Sequence, residues 1–297
     1  LKQQKLNNKS KYQGSIMIKP LVVTTACVAF MLTACTKEQN TNSVVSDTNN
    51  AIEQKETIRI AAAANLSDVL PEIIAGYKAD KNLTNQEIEV TYASSGKLYA
   101  QITSGAPYDI FLAANQAFPD KLVKEKSNSA LSSDKAMSQP FTYTQGQLAL
   151  YSVNKSLDGF DPTSLNDLLT TRANTKVTIA NPALAPYGES AKSYLQSQNL
   201  YDTLTEQKRL IQAENIGQAF QYAHTGSVDY GFVAQSQLTA IKATPDQFYT
   251  LPPESYPPIL QDGIVISDSS IAIDFSNYLR SSAGQQYFSN AGYLAIE

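Results

Sequence analysis

Thr57-Ile-Arg-Ile-Ala-Ala-Ala-Ala-Asn65-Leu-Ser67 runs from an apolar, partly β-branched segment into a polar turn. Beyond it Leu66, Val69, Leu70, Ile73, Ile74 and Tyr77 recur at the spacing of one helical face. Proline is tolerated in an opening turn and disruptive further in, so Pro71 predicts a helix beginning near Asn65 to Ser67, with the Asn65 side chain and nearby N–H groups at an exposed start. The same passage from apolar segment through turn to helix returns at Ala93-Ser-Ser95-Gly-Lys97, Ala185-Pro-Tyr187-Gly-Glu189 and Ala213-Glu-Asn215-Ile216-Gly217. The first N–H groups of a helix have no partner within it and lie at the positive end of its dipole, which makes each turn a candidate anion cradle. Four in one chain predict a single oxyanion held by converging helix starts.

Working outward, short apolar runs read as strands at 57–62, 87–92, 108–113, 148–153, 176–180, 209–212, 230–233 and 259–266, with helical periodicity between most of them. That alternation predicts an α/β fold with parallel sheets covered on both faces. Ligands in such folds sit beyond the carboxyl ends of strands, where all four turns fall. Gly146 and the pairs Pro252-Pro253 and Pro257-Pro258 punctuate two extended crossings, where a hinge between two lobes is expected.

The whole chain carries a net charge of −4, yet all five charged residues in the first 35 are lysines, leaving 18 Lys+Arg against 27 Asp+Glu beyond them. An anion binder this acidic cannot gather its ligand by an overall field and needs local dipoles instead. The same balance, with no basic stripe, argues against nucleic acid. Residues 1–35 read as a leader, with Met17-Ile-Lys-Pro ahead of an apolar run from Leu21 to Leu32 that is too short to span a bilayer comfortably. It ends in Leu32-Thr-Ala-Cys35, similar to the lipobox of bacterial lipoproteins, in which the Cys is acylated; an ordinary signal peptide and an uncleaved anchor are the alternatives. Cys27 falls in the leader, so no thiol is left for a disulfide or cysteine metal site in the folded part. Residues 36–56 are polar and read as a disordered tether with a reach of about 25 Å.

Residues 57–297 resemble the periplasmic molybdate-binding proteins of ABC transporters, members of the type II periplasmic-binding-protein fold. The resemblance runs in order through Ala61-Ala-Ala-Ala-Asn65-Leu, Tyr92-Ala-Ser-Ser95-Gly-Lys-Leu98, Gly105-Ala-Pro-Tyr-Asp109-Ile-Phe, Asn181-Pro, Pro186-Tyr-Gly188, Asp229-Tyr-Gly-Phe-Val233 and Ser282-Ala-Gly-Gln-Gln-Tyr-Phe288. It implies a two-lobed fold with a ligand cleft between lobes, one of residues 57–145 and 254–297, the other of 146–253. It further implies a periplasmic monomer without a cofactor, which hands molybdate or tungstate to a membrane permease; acylation at Cys35 would make it a membrane-anchored lipoprotein. The family's ligand positions fall on Asn65, Ser95, Tyr187 and Ile216. Many members carry Ser at the first, Ala at the third and a Tyr at the position of Ala234; Tyr187 here resembles the alternative arrangement.

The chemistry of these residues agrees with that role. A fully ionised tetrahedral dianion only accepts hydrogen bonds, and the Asn65 amide, the Ser95 and Tyr187 hydroxyls and the Ile216 N–H all donate. Phosphate carries a proton at neutral pH, and burying it against donors costs about 1–3 kcal/mol. Sulfate is fully ionised and is excluded only by cavity size. Each residue also has a plainer role, since Asn65 and Ser95 could cap helices and Ile216 could be core. Lys97 is expected on the solvent side of its helix and Asp109 in a structural role.

An enzyme reading has one foothold. Ser94-Ser-Gly-Lys97, Ser164-Leu-Asn166 and His224-Thr-Gly226 approximate, in order, the S-x-x-K, S-x-N and K-T-G triplets of penicillin-interacting serine enzymes. The third triplet, however, ends a helical stretch where those enzymes have a strand. His224 is the single His, so no other nucleophile–base pair stands out and no His or Cys cluster suggests a metal. A structural or adhesive surface lipoprotein is the third class, and it predicts no ligand response.

Overall fold

The computed structural model describes residues 57–128 and 138–296, so the expectations for the leader, Cys35 and the tether lie outside the described residues. In chain order the described strands are β1 (Ile58–Ala63), β2 (Ile88–Ala93), β3 (Ile110–Leu112), β4 (Phe141–Gly146), β5 (Leu148–Tyr151), β6 (Val177–Ala180), β7 (Leu210–Ala213), β8 (Tyr230–Ala234), β9 (Phe248–Thr250) and β10 (Ile259–Val265). The helices are α1 (Leu70–Asp80), α2 (Ser95–Thr103), α3 (Ala117–Asn128), α4 (Leu165–Thr170), α5 (Pro186–Ser197), α6 (Tyr201–Glu206), α7 (Ile216–His224), α8 (Gln235–Ala240), α9 (Ser270–Arg280) and α10 (Ser282–Asn290). Among the described residues none is long and apolar enough to cross a membrane.

The strands form two five-stranded sheets, ordered β2-β1-β3-β10-β4 and β7-β6-β8-β5-β9. The α/β class holds, with helices on both sheets. The expectation of parallel sheets needs correction, because β10 runs antiparallel to β3 and β4, and β5 antiparallel to β8 and β9. Antiparallel pairing follows from the two crossings. The chain leaves the first sheet through Gly146 and Gln147 directly into β5, and it returns over Leu251–Pro258 into β10. β4 and β9 were not anticipated; β4, Phe141-Thr-Tyr-Thr-Gln-Gly146, is too polar to read as an apolar run.

Local sequence accounts for the helix starts. Asn215 Oδ1 accepts from the Gln218 N–H at 3.0 Å and caps α7, whose residues Ala219, Phe220 and Ala223 are buried. Pro71 lies in the opening turn of α1, but the helix begins at Leu70 and not near Asn65. A separate 3-10 turn, Ala64–Leu66, precedes it. Asn65 is fully buried in that turn, which corrects the expected exposed start.

Each sheet is packed on both faces. Ile58, Ile60, Ile73 and Tyr77 meet Phe275, Leu279 and Phe288 on one face of the first sheet, while Leu98, Phe111 and Leu122 fill the other. In the second sheet Leu150, Ile179, Leu195 and Phe232 lie on one face, Tyr151, Phe220 and Val233 on the other. The cluster on the first of these faces extends to Ala63, Ala64 and Ala114, so apolar packing is continuous from the second sheet to the strand ends of the first. Asp109 is structural, accepting the Arg59 N–H at 2.7 Å.

Candidate functional site

The strand ends of both sheets meet around one small cavity. Asn65 after β1, Ser95 after β2, Ala114 after β3, Tyr187 after β6 and Ile216 after β7 all line it. Its volume is about 200 Å³. The two sides are held together around it. The Gly96 N–H donates to the Leu184 carbonyl at 2.9 Å, and Lys97 Nζ lies 2.5 Å from Glu214 Oε1. Lys97 is half-exposed, on the solvent side as expected, and is paired there with Glu214. Small residues allow this approach: a Cβ on Gly96 would stand 3.1 Å from the Leu184 Cα.

No charged side chain lines the cavity, and its chemistry is that of neutral dipoles. Ser95 and Ile216 lie in the first position of α2 and α7, Tyr187 in the second position of α5 after Pro186, so their N–H groups have no partner in their own helices. Ser95 Oγ accepts from the Ala114 N–H at 2.9 Å. The Tyr187 hydroxyl oxygen accepts from Gln261 Nε2 at 3.3 Å. In both hydroxyls the protein occupies the acceptor side and leaves the proton for a further partner. Burial holds the Tyr187 phenol well above its ordinary value, with Tyr293, Tyr256 and Tyr143 nearby adding to the effect and Gln261 opposing it. The group is a donor at any neutral pH.

Asn65 departs from expectation. Its Nδ2 donates to Gln261 Oε1 at 2.9 Å and to the Tyr293 hydroxyl at 3.1 Å, so both amide protons are spent inside the protein. Its Oδ1 is buried with no partner. The residue borders the cavity, yet its side chain ties the first loop to β10 and the chain's end, leaving the backbone N–H as the group it can donate from.

Two residues were not expected at the oxyanion site from the sequence. Ser94 is 2% exposed, lines the cavity, does not cap α2, and has a hydroxyl without a partner. The serine doublet gave no means of telling which hydroxyl faces inward. Gln261 is fully buried in β10, and a Gln-Asp pair inside an apolar strand, Ile259-Leu-Gln-Asp-Gly-Ile-Val265, is the signal that marks it.

The enzyme triplets do not assemble. Lys97 pairs with Glu214, the Ser164 hydroxyl donates to the Asp161 carbonyl at 2.7 Å, and His224 Nδ1 lies 2.9 Å from the Tyr151 hydroxyl. No metal-binding cluster of His, Cys, Asp and Glu exists among the described residues.

Residues 58–294 match the family described as bacterial extracellular solute-binding protein. The molybdate-binding protein ModA of Azotobacter vinelandii is 31% identical over 247 residues, covering 81% of this chain and 90% of that protein. ModA of Rhodobacter capsulatus is 31% identical over 79% of this chain and 86% of its own. The solved periplasmic molybdate-binding protein of Azotobacter vinelandii superposes with a TM-score of 0.69 at 28% identity, covering 81% of this chain and all of that one.

Proposed function

The chain belongs to the bacterial extracellular solute-binding protein family, whose members here are binding proteins and not enzymes, and from that premise we propose that it captures molybdate or tungstate for an ABC transporter. The observation that carries this reading is the pair of buried hydroxyls, Ser95 and Tyr187, each with its acceptor side filled by the protein and its proton free at one cavity. A fully ionised tetrahedral oxyanion supplies acceptors and nothing else, so it matches that pair. The N–H groups of Asn65 and Ile216 complete the proposed contacts, and the Ser94 hydroxyl adds a further donor. The ligand itself takes no cofactor.

In this reading residues 57–145 and 254–297 form one lobe and 146–253 the other, joined at the two crossings. Ligand bridging Asn65 and Ser95 to Tyr187 and Ile216 stabilises closure, because the open state offers only half of these contacts. A molybdate-binding relative described as periplasmic, that of Azotobacter vinelandii, supports a periplasmic place for this chain too. Acylation of Cys35 would tether a monomer to the membrane beside its permease.

One observation favours a second reading. The unpaired Asn65 Oδ1 is an acceptor, and an acceptor suits an oxyanion that keeps a proton, such as phosphate. Calorimetric titration of the full-length protein with molybdate, tungstate, sulfate and phosphate separates the two. Tight binding of molybdate and tungstate with silence from phosphate is expected. Preference for phosphate or sulfate would keep the fold and overturn the ligand.

A further inference from the structure

We propose that Gln261 is a positioning residue of the oxyanion site, holding the Tyr187 hydroxyl so that its proton faces the ligand. The proposal rests on the oxyanion reading above and explains how one hydroxyl is kept a donor. It follows from a chain of hydrogen bonds that starts at a backbone carbonyl. The Tyr293 hydroxyl donates to the Asn65 carbonyl at 2.8 Å, and a carbonyl can only accept, so the single Tyr293 proton is committed there. The Tyr293 oxygen can then only accept, which it does from Ser236 and from the Asn65 Nδ2 at 3.1 Å. That fixes the Asn65 amide with its nitrogen inward, and the same nitrogen donates to Gln261 at 2.9 Å. Gln261 must then present its oxygen to Asn65 and its nitrogen to Tyr187, 3.3 Å away. Tyr187 accepts, and its proton is left for the cavity.

Packing keeps the relay in register. Gln261 is fully buried; the Tyr143 hydroxyl 3.1 Å from its oxygen also donates to the Ala113 carbonyl at 2.9 Å, so that contact does not set the orientation of the amide. A side chain at Gly146 would put its Cβ 2.1 Å from the Tyr187 hydroxyl and 2.8 Å from Gln261 Nε2, so the absence of one lets the two groups meet. The Gln261–Tyr187 bond links β10 of the first sheet to α5 beside the second. A turned-over Gln261 would accept the Tyr187 proton and withdraw the donor from the ligand. Selectivity for fully ionised anions is thus set partly by a residue behind the site.

The test is a double-mutant cycle on the full-length protein, with molybdate as probe and melting temperature as the check on folding. Gln261→Met alone is expected to weaken binding about tenfold, because the Tyr187 hydroxyl loses its fixed orientation. In the Tyr187→Phe background the same substitution is expected to change affinity less than about twofold, since nothing is left to orient. An equal loss in both backgrounds overturns the proposal, for it would make Gln261 a general support of the fold. Gln261→Glu keeps the shape and serves where the apolar variant loses the fold. Its carboxylate takes the Tyr187 proton, and a loss beyond tenfold is expected, whereas binding as tight as the wild type overturns the proposal. Silence of the wild-type protein toward every oxyanion overturns the functional reading along with it; wild-type binding with uncoupled losses overturns the Gln261 assignment alone.

Discussion

The Ala114 N–H donates to Ser95 Oγ at 2.9 Å, so the end of the third strand occupies the lone pair of a hydroxyl that opens the second helix. The bond turns a two-way group into a donor. Ser95→Ala removes a hydrogen bond to a charged ligand, worth about 1.5–3 kcal/mol, and strands the Ala114 N–H. Titration calorimetry should show affinity for molybdate falling about 10- to 150-fold. A loss under threefold would remove Ser95 from the site.

Gly146 lies outside the cavity lining yet controls it. Because its Cβ would fall 2.1 Å from the Tyr187 hydroxyl, Gly146→Ala must push that ring or Gln261 aside. The obstacle is the far end of a side chain, so the fold should survive with a lowered melting temperature while molybdate affinity drops at least about tenfold. Unchanged affinity would mean that Tyr187 is not a ligand.

Lys97 and Glu214 form an ion pair at 2.5 Å with both side chains about half exposed. Exposed pairs contribute about 0–1 kcal/mol, so Lys97→Met should weaken binding no more than about fivefold. The difference between variant and wild type should shrink at 1 M salt, where screening is short-ranged. A large, salt-independent loss would place Lys97 in direct contact with ligand.

The site's titration is set by phenols. The Tyr187 and Tyr143 hydroxyls are held above the ordinary value of 10.0 mainly by burial, and both stay protonated through neutral pH. Their contribution to stability is complete below the unfolded value and is lost as pH rises through the raised folded one. Molybdate affinity should therefore be level between pH 6.5 and pH 9 by calorimetry. A decline centred near neutrality would point to a titrating ligand group of another kind.

The four turns were legible because Asn, Ser, Pro and Gly terminate strands and open helices by local chemistry, and Ser95, Tyr187 and Ile216 consequently reached one cavity. Asn65 shows where that legibility stops. Its residue type predicted a donor to the ligand, but partners 196 and 228 residues away claimed both amide protons. Gln261 carried a signal, a polar pair inside an apolar strand, but not its role, since a side chain's meaning in a buried network depends on what tertiary packing brings to each of its ends. The antiparallel strands β4 and β9 were missed because polar and short segments are recruited by neighbouring strands, which local pattern does not report.

Diffraction from crystals grown with molybdate, recorded at the molybdenum absorption edge, tests the central claim most directly. The account predicts one anomalous peak in the cavity, with oxygens in hydrogen-bonding reach of the Ser95 and Tyr187 hydroxyls and the Ile216 N–H. A peak elsewhere, or a cavity left without one while the protein binds molybdate in solution, would contradict it.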